Sequence, residues 1–268
     1  MNLPKTVQLP AAEVRRLRAA LAENGLISDD CLAVFIGGSV ARGWQHARSD
    51  TDLYVICDKP WTGETNGVNT VALTPATVPT VGAFVDGERV ELRYWLDDQV
   101  DQTFAKATWE EFQNGDSIGQ RLSGTEAIFL SRLGQAIIIS GEDWMAERQK
   151  QLVECAFRSM WTLRWLGEAD GHVRGALGMM EAGDHTSAVL SAQMALGASV
   201  DALALSYHEF GLDRKWRARR MEAIKSATLS FDRFWELTTM QTFDPSRPQA
   251  WVEDVLDVCR QIALDVEV

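Results

Sequence analysis

Apolar and polar positions change period partway along the chain, and that change predicts two differently built halves. Pro10 opens a segment, Ala11 to Glu23, in which Val14, Leu17 and Leu21 share one stripe while Arg15, Arg16 and Arg18 lie mostly off it. That spacing predicts a helix, stopped by Asn24-Gly25. Cys31 to Ile36 is a short apolar run ending at Gly37-Gly38-Ser39, the pattern of a buried strand entering a tight loop, and a helical turn is expected over Val40 to Trp44. Thr51 to Cys57 reads as a second strand with Leu53, Val55 and Cys57 on one face, and Asp58 to Asn69, rich in Pro, Gly, Thr and Asn, as a loop. Thr80 to Val85, Asp86-Gly87 and Glu88 to Trp95 have the form of a β-hairpin with a tight turn. Asp97-Asp98 then starts a further helix running towards Phe112.

Gln113 to Thr125, rich in Gly, Ser and Asp, is where the domain boundary is expected, separating a catalytic domain over 1–115 from a helical substrate-binding domain over 120–268. Beyond it the period is almost wholly helical. Val189, Ala192, Leu196, Val200, Leu203 and Tyr207 form one apolar stripe, in a helix begun by Asp184 or His185 and ended by Gly211. Further helices are expected over Glu142 to Glu168, Arg214 to Ala227 and Pro248 to Asp265. The fold class is therefore α+β, a small mixed sheet with helices followed by a helical bundle.

Composition narrows the partners. A formal net charge of −12 repels a phosphate backbone, so no long nucleic acid is expected, and a neutral or cationic small molecule fits better. Cys31, Cys57, Cys155 and Cys259 are scattered without CxxC spacing, which speaks for four reduced, largely buried thiols rather than a zinc site or a disulfide framework. The start, MNLPKTVQLP, lacks the features of a signal peptide, and no membrane partner is expected. Ala188 to Leu205, the most apolar stretch, contains Gln193 and Asp201 and reads as a buried helix. The expected location is cytoplasmic, and a homodimer stays open.

The chemistry concentrates in Gly37-Gly38-Ser39-Val40-Ala41-Arg42-Gly43 and Ser49-Asp50-Thr51-Asp52-Leu53. Gly38 permits backbone conformations closed to other residues, so a bulky group such as phosphate can approach the main chain. Ser39 adds a hydroxyl donor. Asp50 and Asp52, two apart at the start of a strand, point to the same side with Cα atoms about 6–7 Å apart. Two such carboxylates repel unless a cation lies between them, and an oxygen-only set suits Mg²⁺. A third carboxylate should come from the hairpin. Val90, Leu92 and Tyr94 form its apolar set, so Glu91 points away from the core with Arg89 and Arg93, whereas Glu88 lies near the turn and is solvated. A structural ion pair with Arg93 is the plain alternative for Glu91.

Strand, Gly-Ser loop, Asp-x-Asp at the next strand and an acidic residue between apolar neighbours together resemble the polymerase-β-like nucleotidyltransferase superfamily, over roughly Leu32 to Trp95. The Gly-Ser-x-x-Arg-Gly and Ser-Asp-x-Asp pattern with a helical C-terminal half resembles its kanamycin- and lincosamide-type antibiotic-modifying members. The resemblance implies that Gly38, Ser39 and Ser49 belong to the nucleotide site and that Ser39 meets the terminal phosphates. It further implies that Asp50 and Asp52 bind one or two Mg²⁺ ions, and that Glu91 completes the metal site or acts as base. The implied reaction moves AMP from ATP to a hydroxyl of a small molecule, an antibiotic being one candidate. Protein adenylylation, as in minimal antitoxin nucleotidyltransferases, and a non-catalytic nucleotide-binding module are the competing readings.

Arg42, three residues after Ser39, can reach a β- or γ-phosphate or merely cap a helix. Arg214-Lys215-Trp216-Arg217-Ala218-Arg219-Arg220 is the one dense basic run, either a solvated helix face or, as the resemblance suggests for Lys215, a cation for the triphosphate. His46 reads as a surface loop residue. Trp161 and Trp165 share a helical stripe in the core, while Trp44, Trp61, Trp95 and Trp216 lie near expected site elements, where one could stack on a base or sugar.

Overall fold

The computed structural model describes residues 6–115 and 122–268. The chain folds as two compact units, Met1–Ala156 and Phe157–Val268. The first holds a mixed sheet with helices and the second is helical, the α+β arrangement that the periodicity predicts.

The sheet comprises β1 (Cys31–Ile36), β2 (Thr51–Cys57), β3 (Gly67–Thr70), β4 (Thr77–Val85), β5 (Glu88–Leu96) and β6 (Ile137–Ser140), in the order β3-β4-β5-β2-β1-β6. β2 and β5 run parallel, and the other neighbours are antiparallel. Asp86 (φ 50°) and Gly87 (φ 82°) close the β4–β5 hairpin, both with positive φ as a tight turn matching the strand twist requires. Helix α1 (Ala11–Glu23) covers one face, where Leu21 joins Val34, Ile36, Leu53, Val55, Leu92 and Tyr94 in a buried cluster. The four-residue α2 (Gly38–Ala41) follows β1, so the helical turn begins two residues earlier than expected. On the opposite face α5 (Gly124–Leu133) brings Phe129 against Phe35, Tyr54 and Trp95, with ring centroids 6.3, 6.0 and 4.2 Å away.

Other features of this unit also depart from the sequence reading. The helix expected from Asp97 to Phe112 is two, α3 (Asp97–Ala105) and α4 (Trp109–Gln113), the second capped by the Thr108 hydroxyl. β3 falls largely in the expected loop, and β6 in the stretch whose period reads as helical without a named element. Among the described residues β3 pairs only with β4, and it is mostly exposed, so it carries little apolar alternation to read. β6 is the edge beside β1. Because that strand and α6 (Glu142–Glu154) remain with the sheet, the first unit runs on to Ala156, past the expected boundary, part of which lies outside the described residues.

In the second unit α7 (Phe157–Glu181) packs along α8 (His185–Ser206), with α11 (Pro248–Asp265) also against α8. α8 is long and apolar enough to cross a membrane by length and composition, but 83% of its most apolar window is buried inside the protein. Val189, Ala192, Leu196, Val200 and Leu203 meet Met221, Phe234, Trp251 and Val255 there. The basic run folds as a 3₁₀ turn (Arg214–Trp216) and α9 (Arg217–Ile224), and α10 (Phe231–Thr238) follows. The helix expected over Glu142 to Glu168 breaks at Cys155, whose backbone is extended. Trp161 and Trp165 are buried as expected.

Candidate active site

β2 and β5 pair in parallel register with Asp52 opposite Glu91 and Tyr54 opposite Arg93. Side chains alternate across a sheet, so these four share one face while Leu53, Leu92, Val55 and Tyr94 face the α1 core. Glu91 thus lies on the same side as Asp52, as the parity of the hairpin requires. Asp50 stands just ahead of β2.

Each acidic side chain meets an arginine of β5. Arg93 spans two of them, its Nη1 2.9 Å from Asp52 Oδ1 and its Nη2 3.0 Å from Glu91 Oε1. Arg89 Nε is 3.5 Å from Asp50 Oδ2. Three carboxylates and two guanidiniums leave one net negative charge. Directly opposed like charges destabilise a strand pair, and the Arg93 fork removes that cost. Burial alone would pull the Arg93 guanidinium down, but Tyr54, Asp52 and Glu91 outweigh it and hold its pKa above the usual value. Beneath them Tyr54 is buried, and burial pushes its phenol up despite Arg93 and Arg132 nearby.

The loop after β1 closes on Asp52. The Gly37 N–H donates to the Asp52 carbonyl at 2.9 Å, and Gly38 adopts φ +68°. A Cβ at Gly38 would stand 2.3 Å from Asp52 Oδ2, so only glycine leaves that oxygen room. A Cβ at Gly37 would stand 3.1 Å from Arg132, at the end of α5, and from the Tyr54 ring.

Mg²⁺ can be tested against this donor set. Among the described residues no three acidic, histidine or cysteine side chains form a ready-made metal-binding group. The expected three-carboxylate cage is therefore not formed, because Arg93 ties Asp52 and Glu91 together. Mg²⁺ is commonly held by one or two carboxylates, with substrate oxygens and water completing the shell. Asp50 and Asp52 satisfy that demand, because both are partly exposed carboxylates.

The remaining expected residues divide. Ser39 lies half-buried in α2, where its carbonyl accepts from the Arg42 and Trp44 N–H groups at 3.2 and 2.9 Å. Arg42 bonds the Gln135 side chain and stacks 3.5 Å over the Trp44 ring, so its guanidinium is engaged by protein rather than held out for phosphate. The Ser49 hydroxyl accepts from the His46 N–H at 3.0 Å, shaping the turn into β2, and His46 is exposed. Lys215 belongs to the second unit, where it is exposed with Nζ 5.7 Å from the Trp216 ring centroid. There Arg214, Lys215 and Arg217 line a cavity of about 300 Å³ with Leu196, Phe234 and Trp235. Trp61 stacks on Tyr94 at 4.2 Å, on the far face from Asp52, and Trp95 is buried against Phe129, so neither serves as a stacking platform beside the carboxylates. Arg89, Arg93 and Arg132 were the residues the sequence undervalued. For the first two the signal was parity with Glu91.

No protein-family model matches this sequence, and neither does any curated protein. Among solved structures, a nucleotidyltransferase-like protein from Exiguobacterium sibiricum is similar. It is 12% identical, the match covers 94% of this chain and 74% of that one, and the TM-score is 0.46. The chemistry has to come from the side chains themselves.

Proposed function

We propose that this chain is a nucleotidyltransferase that moves AMP from ATP to a hydroxyl of a small acceptor and releases pyrophosphate. The observation that carries the reading is the parallel pairing of Asp52 with Glu91, on the face where the Gly38 loop packs closely against Asp52 Oδ2. Asp50 and Asp52 would hold Mg²⁺, which supplies positive charge to the phosphate oxygens as pyrophosphate departs. Glu91, partly exposed, stands beside Asp52 to take the proton of the attacking hydroxyl. Arg93 holds Asp52 and Glu91 side by side, and Arg89 lies against Asp50. Ser39 offers the loop's hydroxyl to the terminal phosphates. An antibiotic is the acceptor class that the sequence resemblance favours.

The ion pairs of Arg93 with both acids support a second reading, a nucleotide-binding module without turnover. One experiment separates the two: pyrophosphate release screened over nucleoside triphosphates and hydroxyl-bearing acceptors, antibiotics included, with Mg²⁺. Turnover that falls about a thousandfold in Asp52→Asn, several kcal/mol of lost charge stabilisation, supports catalysis. Tight ATP binding without pyrophosphate from any acceptor supports the module, and turnover unchanged by Asp52→Asn removes the site assignment.

A further inference from the structure

At the other end of β2, about 16 Å along the strand from Asp52, two thiols face each other. Cys31 and Cys57 are direct partners across the antiparallel β1–β2 ladder, beside a bulge at Leu32. Opposed residues in such a ladder have Cα atoms about 4.5–5.5 Å apart, inside the roughly 4.4–6.8 Å window that a disulfide spans. None of the four cysteines is in a disulfide. The Cys57 thiol is the largest influence on the Cys31 thiol, and Ser28 Oγ lies 3.6 Å from Cys31 Sγ. Both cysteines line a cavity of about 670 Å³, walled by Gly25, Ile27, Trp61 and Thr62, with Asp30, Asp58 and Lys59 as its charged groups. Such a space accepts a molecule of tripeptide size.

We propose that Cys31 and Cys57 form a reactive dithiol that reduces the disulfide of a small thiol compound entering this cavity and ends as a cross-strand disulfide. Cys31 is half-exposed and attacks; Cys57, 7% exposed, resolves. The Cys31 thiolate forms a bond to one sulfur of the small disulfide, whose S–S bond breaks and releases one thiolate. The Cys57 sulfur then attacks Cys31 in the mixed disulfide, loses its proton to solvent, and expels the second thiolate. Two protein thiols are oxidised, and one small disulfide is reduced to two thiols.

The electrostatics favour this order. The Cys57 hydrogen bond and Ser28 lower Cys31 to about 6, although burial and Asp30 oppose them. Cys57 is pushed up, first by its hydrogen bond with Cys31, then by burial and by the Cys31 charge. Capping Cys31 removes the first and third of these causes, so the resolving thiol is released only after the first step.

Oxidised glutathione is the probe, with intact mass and peptide mapping as readout. At pH 7 a thiol with this pKa carries about ninetyfold more thiolate than an ordinary one, and its lower nucleophilicity returns about twentyfold of that. Cys31 should therefore react about fourfold faster than Cys155, a second half-exposed cysteine. The parent protein should lose two hydrogens and yield a Cys31–Cys57 crosslinked peptide. Cys57→Ser should accumulate the glutathione adduct on Cys31, and Cys31→Ser should give neither product. A Cys31 rate no greater than that of Cys155, or a parent protein that stops at the mixed disulfide, overturns the proposal. Because Asp50, Asp52 and Glu91 take no part, the outcome does not depend on nucleotidyl transfer.

Discussion

Gly38→Ala separates backbone strain from damage to Asp52. At φ +68° a Cβ costs about 1–2 kcal/mol wherever it is placed. At Gly38 the added carbon also meets Asp52 Oδ2 at 2.3 Å, whereas ordinary contact begins near 3.4 Å. The carboxylate must retreat by about 1 Å, and a displacement of that size at a reacting centre costs about a hundredfold in rate, or about 2.7 kcal/mol. Gly183 supplies the control, because it has φ +78° with nothing within 4 Å of its would-be Cβ. Urea melts should show both alanine variants losing about 1–2 kcal/mol of stability. Pyrophosphate release under saturating ATP should collapse only in Gly38→Ala. If that variant turns over within about threefold of the parent, under 1 kcal/mol, the approach of the loop to Asp52 has no catalytic meaning.

Arg93→Lys keeps the charge but cannot bridge two carboxylates, so turnover should fall about tenfold, one charge-assisted hydrogen bond, while thermal melting stays close to that of the parent; unchanged turnover would reduce Arg93 to a surface ion pair. In the second unit Asp201, 1% exposed, accepts from Arg217 Nη2 and Arg220 Nη1 at 2.6 Å each, and Arg220 is equally buried. Asp201→Ala leaves the Arg220 guanidinium with only Glu209, 4.0 Å from its Nε, and should cost about 3 kcal/mol in a urea melt, whereas a loss under about 1 kcal/mol would mean that the cluster repacks. Cys31 has its pKa lowered to about 6, so its thiolate, and with it alkylation by iodoacetamide, should be near its plateau above about pH 7 and decline below 6. The groups around it are Cys57, Ser28, Asp30, Asp58, Lys59 and Tyr94; a rate still climbing tenfold per unit at pH 8 would refute the shift.

The positions of Asp52 and Glu91 were legible because they rest on a period of two. Once Val90, Leu92 and Tyr94 are assigned to the core, Glu91 has only one face left to occupy. What the sequence could not place depends on distant partners. Gln135, which takes the Arg42 guanidinium, lies 93 residues further on. Ile137-Ile138-Ile139 suits a strand and a helix alike until β1 offers an unpaired edge. Trp61 and Trp95 sit close in sequence to site elements, yet the first stacks in the α1-side cluster and the second against Phe129.

Parity also explains why the arginines are where they are. Asp52 and Glu91 face each other on strands about 4.8 Å apart, a spacing at which two negative charges cost roughly 1–3 kcal/mol at a half-exposed surface. A counter-charge must share their face and reach both, which on β5 leaves positions 89 and 93, two residues to either side of Glu91. Both are arginine. The fork at 93 takes one oxygen from each acid, Asp52 Oδ1 and Glu91 Oε1, and leaves Asp52 Oδ2 turned towards Gly38. A lysine there could neutralise the pair, but its single ammonium could not hold two carboxylates in a fixed relation.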